Sequence, residues 1–231
     1  MRAILILWFA LMLASLYLIF VKVATEASMG VVQRIFYFHI PLAWNAFLAF
    51  FIVFLFSIIY LVKRDPKWDR IASASAHIGV IFTTLTIIAG AIWAKPIWGV
   101  WWTWDPRLTS TLVLWLIYVA YLLVRSYVPN SEQGARFGAV IGIVGFLDVP
   151  IVALAITLWP TEHPQPVIFS GGLSNLPGAV LTLMVSIVAF TVLYVFMLLQ
   201  RINFKDTQNE MKKIKRDLAE HFAESAEEDK P

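Results

Sequence analysis

Trp98-Gly99-Val100-Trp101-Trp102-Thr103-Trp104-Asp105-Pro106-Arg107-Leu108-Thr109-Ser110 stands between two long apolar runs, and its reading decides the fold. Four tryptophans fall within seven positions, and Trp93 lies just upstream. An indole is large and apolar but carries one N–H donor, so its natural place is a boundary between hydrocarbon and water. Read as helix, Trp98, Trp101, Trp102 and Asp105 follow the i, i+3, i+4, i+7 spacing and share one face. That reading predicts a flat aromatic shelf lying along a membrane surface. Aromatic belts anchor many membrane proteins and bind nothing, but this density, joined to Gly, Asp and Arg, points to a binding platform. Gly99 lets a backbone or ligand come close. Arg107 offers a planar, permanently charged fork suited to carboxylates.

Outward from this stretch the chain is apolar almost throughout. Of 231 residues 60% are hydrophobic and 14% are charged, more apolar material than a soluble domain of this size needs. Six apolar runs stand out, near 3–21, 42–62, 76–94, 108–125, 137–159 and 178–200. Each is roughly 18–23 residues, enough helix to cross a ~30 Å hydrocarbon core. The expectation is an all-α integral membrane protein with one six-helix domain over 1–200 and a charged tail over 201–231. The first run exceeds a signal peptide's apolar core and reads as a retained helix. There is no cysteine, hence no disulfide and no thiolate metal site. Lysine and arginine set the orientation. One side carries Arg2, Lys63, Arg64, Lys67, Arg70, Arg125, Arg136, Arg201 and Lys205; the other carries Lys22, Arg34, Lys95 and Arg107. Both termini are therefore expected in the cytoplasm, with the tryptophan stretch as a short amphipathic segment on the outer face.

In chain order, Pro41 suits the first turn of the second helix and predicts an extended Ile40, which puts His39 at that helix's outer mouth. The third helix is expected to begin near Ala76, with His77 at its inner end as a headgroup or capping residue. Asp105-Pro106 reads as N-cap and N1 proline of the fourth helix, and a ligand role for Asp105 stays open beside that. Arg107 stands in the first turn, where a cation opposes the helix dipole, so an anionic partner is expected. Gly138, Gly142 and Gly145 favour close helix contact. Asp148 stands mid-helix, either as a functional carboxylate or as a neutral acid bonded to backbone loosened by Pro150. His163, in the loop after the fifth helix, is the one other histidine on the outer side. In the tail, Met211, Ile214, Leu218 and Phe222 form a thin apolar seam, His221 has no assigned role, and Glu224 to Lys230 reads as disordered.

The stretch WGVWWTWDPRLTS over 98–110 is similar to the tryptophan-rich WWD signature of the CcmC/CcsA family, the haem-handling membrane proteins of cytochrome c maturation. A second family pattern, R-I-x-Y-x-H-[VI]-P-x-A-W, is met by Arg34, Ile35, Tyr37, His39, Ile40, Pro41, Ala43 and Trp44. A third, W-W-R-T-L-H-Q-P, is met only in part. Trp159 stands alone, there is no arginine, and Pro164 separates His163 from Gln165. The Asp148-Val149-Pro150 spacing also resembles the family's.

The resemblance implies a b-type haem held transiently at the outer face of the inner (cytoplasmic) membrane. It implies His39 and His163 as axial ligands to the haem iron. Trp98, Trp101, Trp102, Trp104 and Asp105 would form the platform, and Arg34 and Arg107 would meet the propionates. The haem would pass to a membrane-anchored, CcmE-like haem chaperone. A small CcmD-like single-helix subunit, CcmA/CcmB-like ABC transporter subunits and membrane lipid would be the other partners, with no nucleic acid. The six-helix size resembles the family's haem-delivery branch. No catalytic triad or nucleotide-binding motif is present, so binding and transfer are expected rather than catalysis. The alternatives are a transporter or channel for haem or a small solute, using Asp148, and a haem-bearing quinone oxidoreductase. The oxidoreductase would need ligands buried within the helices, whereas His39 and His163 are expected to flank them.

Overall fold

The computed structural model of the protein describes residues 1–27, 29–128, 131–159 and 176–228. Its helices are α1 (Arg2–Tyr17), α2 (Phe36–Lys63), α3 (Pro66–Trp98), α4 (Pro106–Tyr127), α5 (Ser131–Phe146), α6 (Asp148–Leu158) and α7 (Ala179–Glu228). There is no strand among the described residues. α1 runs on through a π turn at Leu18–Lys22, and α5 and α6 together make one span, so six segments are long and apolar enough to cross a membrane. Both termini therefore lie at one end of the bundle and the 99–105 loop at the other.

α2 is the central helix, packing on α3, α5 and α7; α4 closes against α3, α5 and α6, and α1 lies on α7. Inside a membrane, packing and interhelical hydrogen bonds hold helices together, and this chain uses both. Ser75 donates to the Ala49 carbonyl at 2.8 Å and meets the Tyr194 hydroxyl at 2.8 Å, joining three helices. Ser15 meets Ser186 at 2.7 Å across α1 and α7. Trp115 donates to Thr84 at 2.8 Å, and Tyr118 to the Gly142 carbonyl at 3.1 Å. The α5 glycines do what their spacing predicts. A Cβ on Gly142 would stand 2.8 Å from Val53, and one on Gly145 would stand 2.7 Å from Ile117.

Near the terminal end, Arg125 on α4 clasps Asp69 on α3 through two hydrogen bonds, at 2.5 and 2.7 Å. Both side chains are largely buried. Removing one partner of such a pair strands a charge, at a cost of about 3–5 kcal/mol. Asp69→Ala is therefore expected to lower the melting temperature in detergent steeply. A melting curve that overlays the wild type would show that the pair holds nothing.

Four boundaries differ from those read in the sequence. α2 starts before Pro41, so Ile40 is helical rather than extended. The proline leaves the Tyr37 carbonyl without an N–H donor, but burial of Phe36 and Tyr37 against Trp93 and Leu183 outweighs that loss. α3 starts at Pro66, ten residues before Ala76, because Asp65 accepts the Lys67 N–H at 2.9 Å as N-cap and Pro66 takes N1. His77 is therefore inside α3, its Nδ1 bonded to the Ser73 carbonyl at 2.7 Å, and not at a helix end. The fifth span breaks at Leu147, three residues before Pro150, and Asp148 opens α6. α7 continues through the tail to Glu228, past Glu224 where irregular chain is expected. The Ala, Glu, Lys and Met of this stretch are strong helix formers and extend the span without a break. Met211, Ile214 and Leu218 are exposed along it.

Candidate functional site

The tryptophan stretch is a cap-to-cap connection, not one helix. α3 ends at Trp98 because Gly99 adopts φ 77°, a left-handed C′ position that donates to the Lys95 carbonyl at 3.0 Å. The Lys95 ammonium closes the turn by donating to the Gly99 carbonyl at 2.8 Å. α4 begins when Asp105 accepts the Leu108 N–H at 2.9 Å, with Pro106 at N1. Asp105 is thus a structural cap, as the Asp-Pro pair predicts, and its second oxygen lies 3.5 Å from the Thr103 hydroxyl.

Because residues 99–105 are not helical, the shared face expected for Trp98, Trp101, Trp102 and Asp105 does not form. The tryptophans divide instead. Trp98 and Trp102 line a cleft in the bundle, while Trp101 and Trp104 are 58% and 75% exposed. Trp102 and Trp104 still touch edge to face at 5.7 Å. Trp101 lies under the Lys95 ammonium at 5.9 Å.

The cleft opens at this end between α2, α3 and α4 and reaches inward as far as Leu114 and Val152. Its cavity volume is about 90 Å3, and about 980 Å3 with the open mouth included. His39 projects into it from α2 and is only 8% exposed. Its ring lies over Gly90 of α3, where a Cβ would stand 3.1 Å from the imidazole Cε1. The Trp93 ring is 5.8 Å away, and the Thr86 backbone lies against the imidazole. Arg107 enters from the first turn of α4, close enough for its charge to act on the imidazole.

The walls are apolar for a local reason. Thr83, Thr86 and Thr111 turn their hydroxyl protons back onto the carbonyls of Gly79, Phe82 and Arg107. Two indole N–H donors, on Trp93 and Trp102, are buried with no acceptor among the described residues. A buried donor left unpaired costs about 1–3 kcal/mol, so either indole would gain from an acceptor brought beside it. A flat apolar molecule with an anionic edge and a metal seeking nitrogen fits this set of groups.

The structure therefore brings together His39, Trp98, Trp102 and Arg107, with Asp105 beside Arg107. It does not bring Arg34 to the cleft wall: its guanidinium lies over the Phe20 ring at 5.8 Å. His163 lies outside the described residues. Sequence reasoning missed Thr86 and Gly90 and left Trp93 without a role. Their signal was a small residue and a threonine at helical spacing from Trp93 on one face of an apolar helix. Trp44, which completes the second family pattern, is half exposed on the outside of α2.

The family model described as CcmC, heme exporter protein C, matches residues 1–217. The heme exporter protein C of Bradyrhizobium diazoefficiens is 35% identical over 171 residues, covering 74% of this chain and 65% of that protein. That of Paracoccus denitrificans is 33% identical over 153 residues, 66% of this chain and 62% of its own. That of Escherichia coli K12 is 30% identical over 138 residues, 60% and 56%. The chain thus spans less than two thirds of the length of each of these relatives.

Proposed function

From the premise that the chain belongs to the heme exporter protein C family, we propose that it holds haem in the tryptophan-end cleft and delivers it for cytochrome c maturation. The observation that carries the reading is the convergence of a buried imidazole, His39, and a cation, Arg107, on one apolar cleft with two unpaired indole donors. Haem is the cargo here, a b-type macrocycle bound transiently. The cavity takes only part of a porphyrin, so the ring enters edge first and the mouth holds the rest. His39 supplies a neutral nitrogen to the iron. Arg107 meets a propionate, and the N–H groups of Trp93 and Trp102 meet oxygen acceptors at the ring edge. Asp105 acts by capping α4, which aims Arg107. His163 is the second axial ligand on the family pattern alone. Arg34, packed on Phe20, serves the fold of the segment before α2 rather than a propionate.

The exposed Trp101 and Trp104 have a different part. Large apolar side chains on a wet loop mark a docking surface, and the partner is the membrane-anchored haem chaperone that takes the cargo. The single-helix subunit and the ABC transporter subunits belong to the same reading. So does the sidedness, with both termini in the cytoplasm and the cleft on the outer face of the inner membrane, from the lysine and arginine count. A cysteine introduced at Ser131 reports it, since the chain has none of its own; labelling from outside overturns it.

A quinone oxidoreductase needs haem ligands buried within the helices, and His39 meets that condition. His39 is within α2 and buried, not flanking the helices. What separates the two is electron traffic: haem that a quinol reduces on the timescale of turnover belongs to the enzyme, and haem that leaves for a chaperone belongs to the carrier.

Trp102→Ala and Trp104→Ala divide binding from transfer. Trp102→Ala removes a cleft wall and is expected to cut haem retained on purification by roughly tenfold, the effect of burying one aromatic less. Trp104→Ala is expected to retain haem and lose transfer to the chaperone. Haem measured by pyridine haemochrome and chaperone-bound haem measured on gels give both readings. Equal haem and equal transfer in both variants would reduce the stretch to a membrane belt.

A further inference from the structure

A second cavity, of about 390 Å3, lies between α3 and α7 towards the end of the bundle that carries both termini. It is an open groove rather than an enclosed void. It is distinct from the His39 cleft and shares no residue with it. Three polar side chains, His77, Gln200 and Arg201, stand at one level, and Ile81 and Phe196 stand deeper in the membrane. The depth follows from the chain direction. α3 runs from the terminal end towards the tryptophan end and α7 runs back, so residue numbers above 77 and below 200 both lead inward.

Arg201 is the informative group. The apolar run of α7 ends at Gln200 while the helix continues to Glu228, so Arg201 is the first charge at the terminal-end boundary of that run. A cation at that depth normally reaches along its stem to water. Here the side chain is half-buried, and its guanidinium Nε is buried with no acceptor among the described residues. The ring of His77 is held by its Nδ1 bond to Ser73 and forms a fixed wall beside it. A guanidinium with a buried unpaired donor is matched by an anion that can accept from its planar edge, a phosphate or carboxylate. Ile81 and Phe204 at the cavity are exposed on spanning helices, where lipid chains lie, and the deeper wall is apolar, so an anion that carries an apolar chain fits. Basic pockets between membrane helices bind anionic headgroups on this chemistry.

We propose that this cavity is a site for an anionic phospholipid of the leaflet at the terminal end, its phosphate on Arg201 with Gln200 as a second donor, and an acyl chain over Ile81 and Phe196. The site joins α3, which carries Gly90 and Trp93 of the cleft, to α7, which continues into the tail. It does not rest on the haem reading, because the two sites share no lining residue.

The test uses the full chain purified in neutral detergent with phosphatidylglycerol or phosphatidylcholine added, and native mass spectrometry to count bound lipid. The wild type is expected to retain phosphatidylglycerol over phosphatidylcholine. Arg201→Ala is expected to lose that preference by about tenfold, as removal of charged hydrogen bonds does, and Arg201→Lys to recover part of it. Haem absorption is expected to be unchanged in all of these. Ile81→Trp fills the cavity without touching Arg201 and is expected to lower phosphatidylglycerol retention as well, which covers an Arg201→Ala protein that fails to fold. Equal retention of the two lipids by the wild type, or wild-type retention in Ile81→Trp, overturns the proposal. Displacement of the lipid by millimolar inorganic phosphate overturns it too, since the site would then recognise a soluble phosphate and not a lipid.

Discussion

His39→Ala is expected to convert the haem spectrum from six-coordinate low-spin to a form with an open axial position, and to lose most of the haem on purification. The imidazole lies in an apolar cleft, over Gly90 and beside Trp93, with water largely excluded. No other described histidine reaches that cleft, since His77 is inside α3 and faces the second cavity. Alanine leaves a space the size of the lost ring. Exogenous imidazole is expected to enter it and restore the low-spin bands, because the apolar walls and Arg107 remain. His77→Ala is expected to change nothing in the spectrum. Wild-type bands in a folded His39→Ala protein would remove this residue from the iron.

Gly90→Leu is expected to have an effect of similar size by a different route. An added Cβ at Gly90 would stand 3.1 Å from the His39 Cε1 and 3.6 Å from its Nδ1. The rest of a leucine would occupy the space into which the haem edge enters. Forcing a side chain into a filled site costs about 1–3 kcal/mol, so haem retention is expected to fall roughly tenfold or more. Gly90→Ala adds only the Cβ with its two contacts to the imidazole and is expected to fall between. The measurement is haem per mole of protein, with a melting curve to show that the bundle survives. Full haem in a stable Gly90→Leu protein would place the cargo elsewhere.

Much of this was legible in the sequence, and the parts that were not share a cause. Six spans follow from hydropathy because the bilayer sets their length, and the structure contains them. The Asp105-Pro106 cap is read correctly because its chemistry is local. The same pair at Asp65-Pro66 starts α3, but the charged residues after it read as loop, and His77 was placed at a helix end as a result. Charge decides hydropathy, while the cap decides where the helix starts. Pro41 misleads in the opposite sense, since local strain yields to the burial of Phe36 and Tyr37. The tryptophan shelf fails because four tryptophans suggest a periodicity that Gly99 interrupts with its left-handed turn. Trp102 and Trp104 are two positions apart, and which indole turns inward is settled by the loop, not by spacing. Thr86, Gly90 and Trp93 share one helix face in the sequence, but that face could not be read as a site because its partner, His39, comes from another helix. Pairing of that kind is set by how α2 and α3 pack.

Arg34 and Arg107 make the same point about charge. Each stands near the start of a spanning helix at the tryptophan end, and the sequence offers both as propionate partners. Packing sends Arg107 to the cleft and Arg34 onto Phe20.

The central claim is that the iron of the cargo is held by His39, and a chain in which His39 is the sole histidine tests it most directly. The protein has four histidines, so His77→Ala, His163→Ala and His221→Ala together leave only this one. With ferric haem added and histidine labelled with nitrogen-15, pulsed electron paramagnetic resonance reads nitrogen-15 coupled to the iron. The account predicts that this coupling is present in the sole-histidine protein and absent when His39 is also replaced. A folded sole-histidine protein that binds haem without histidine coupling would contradict it.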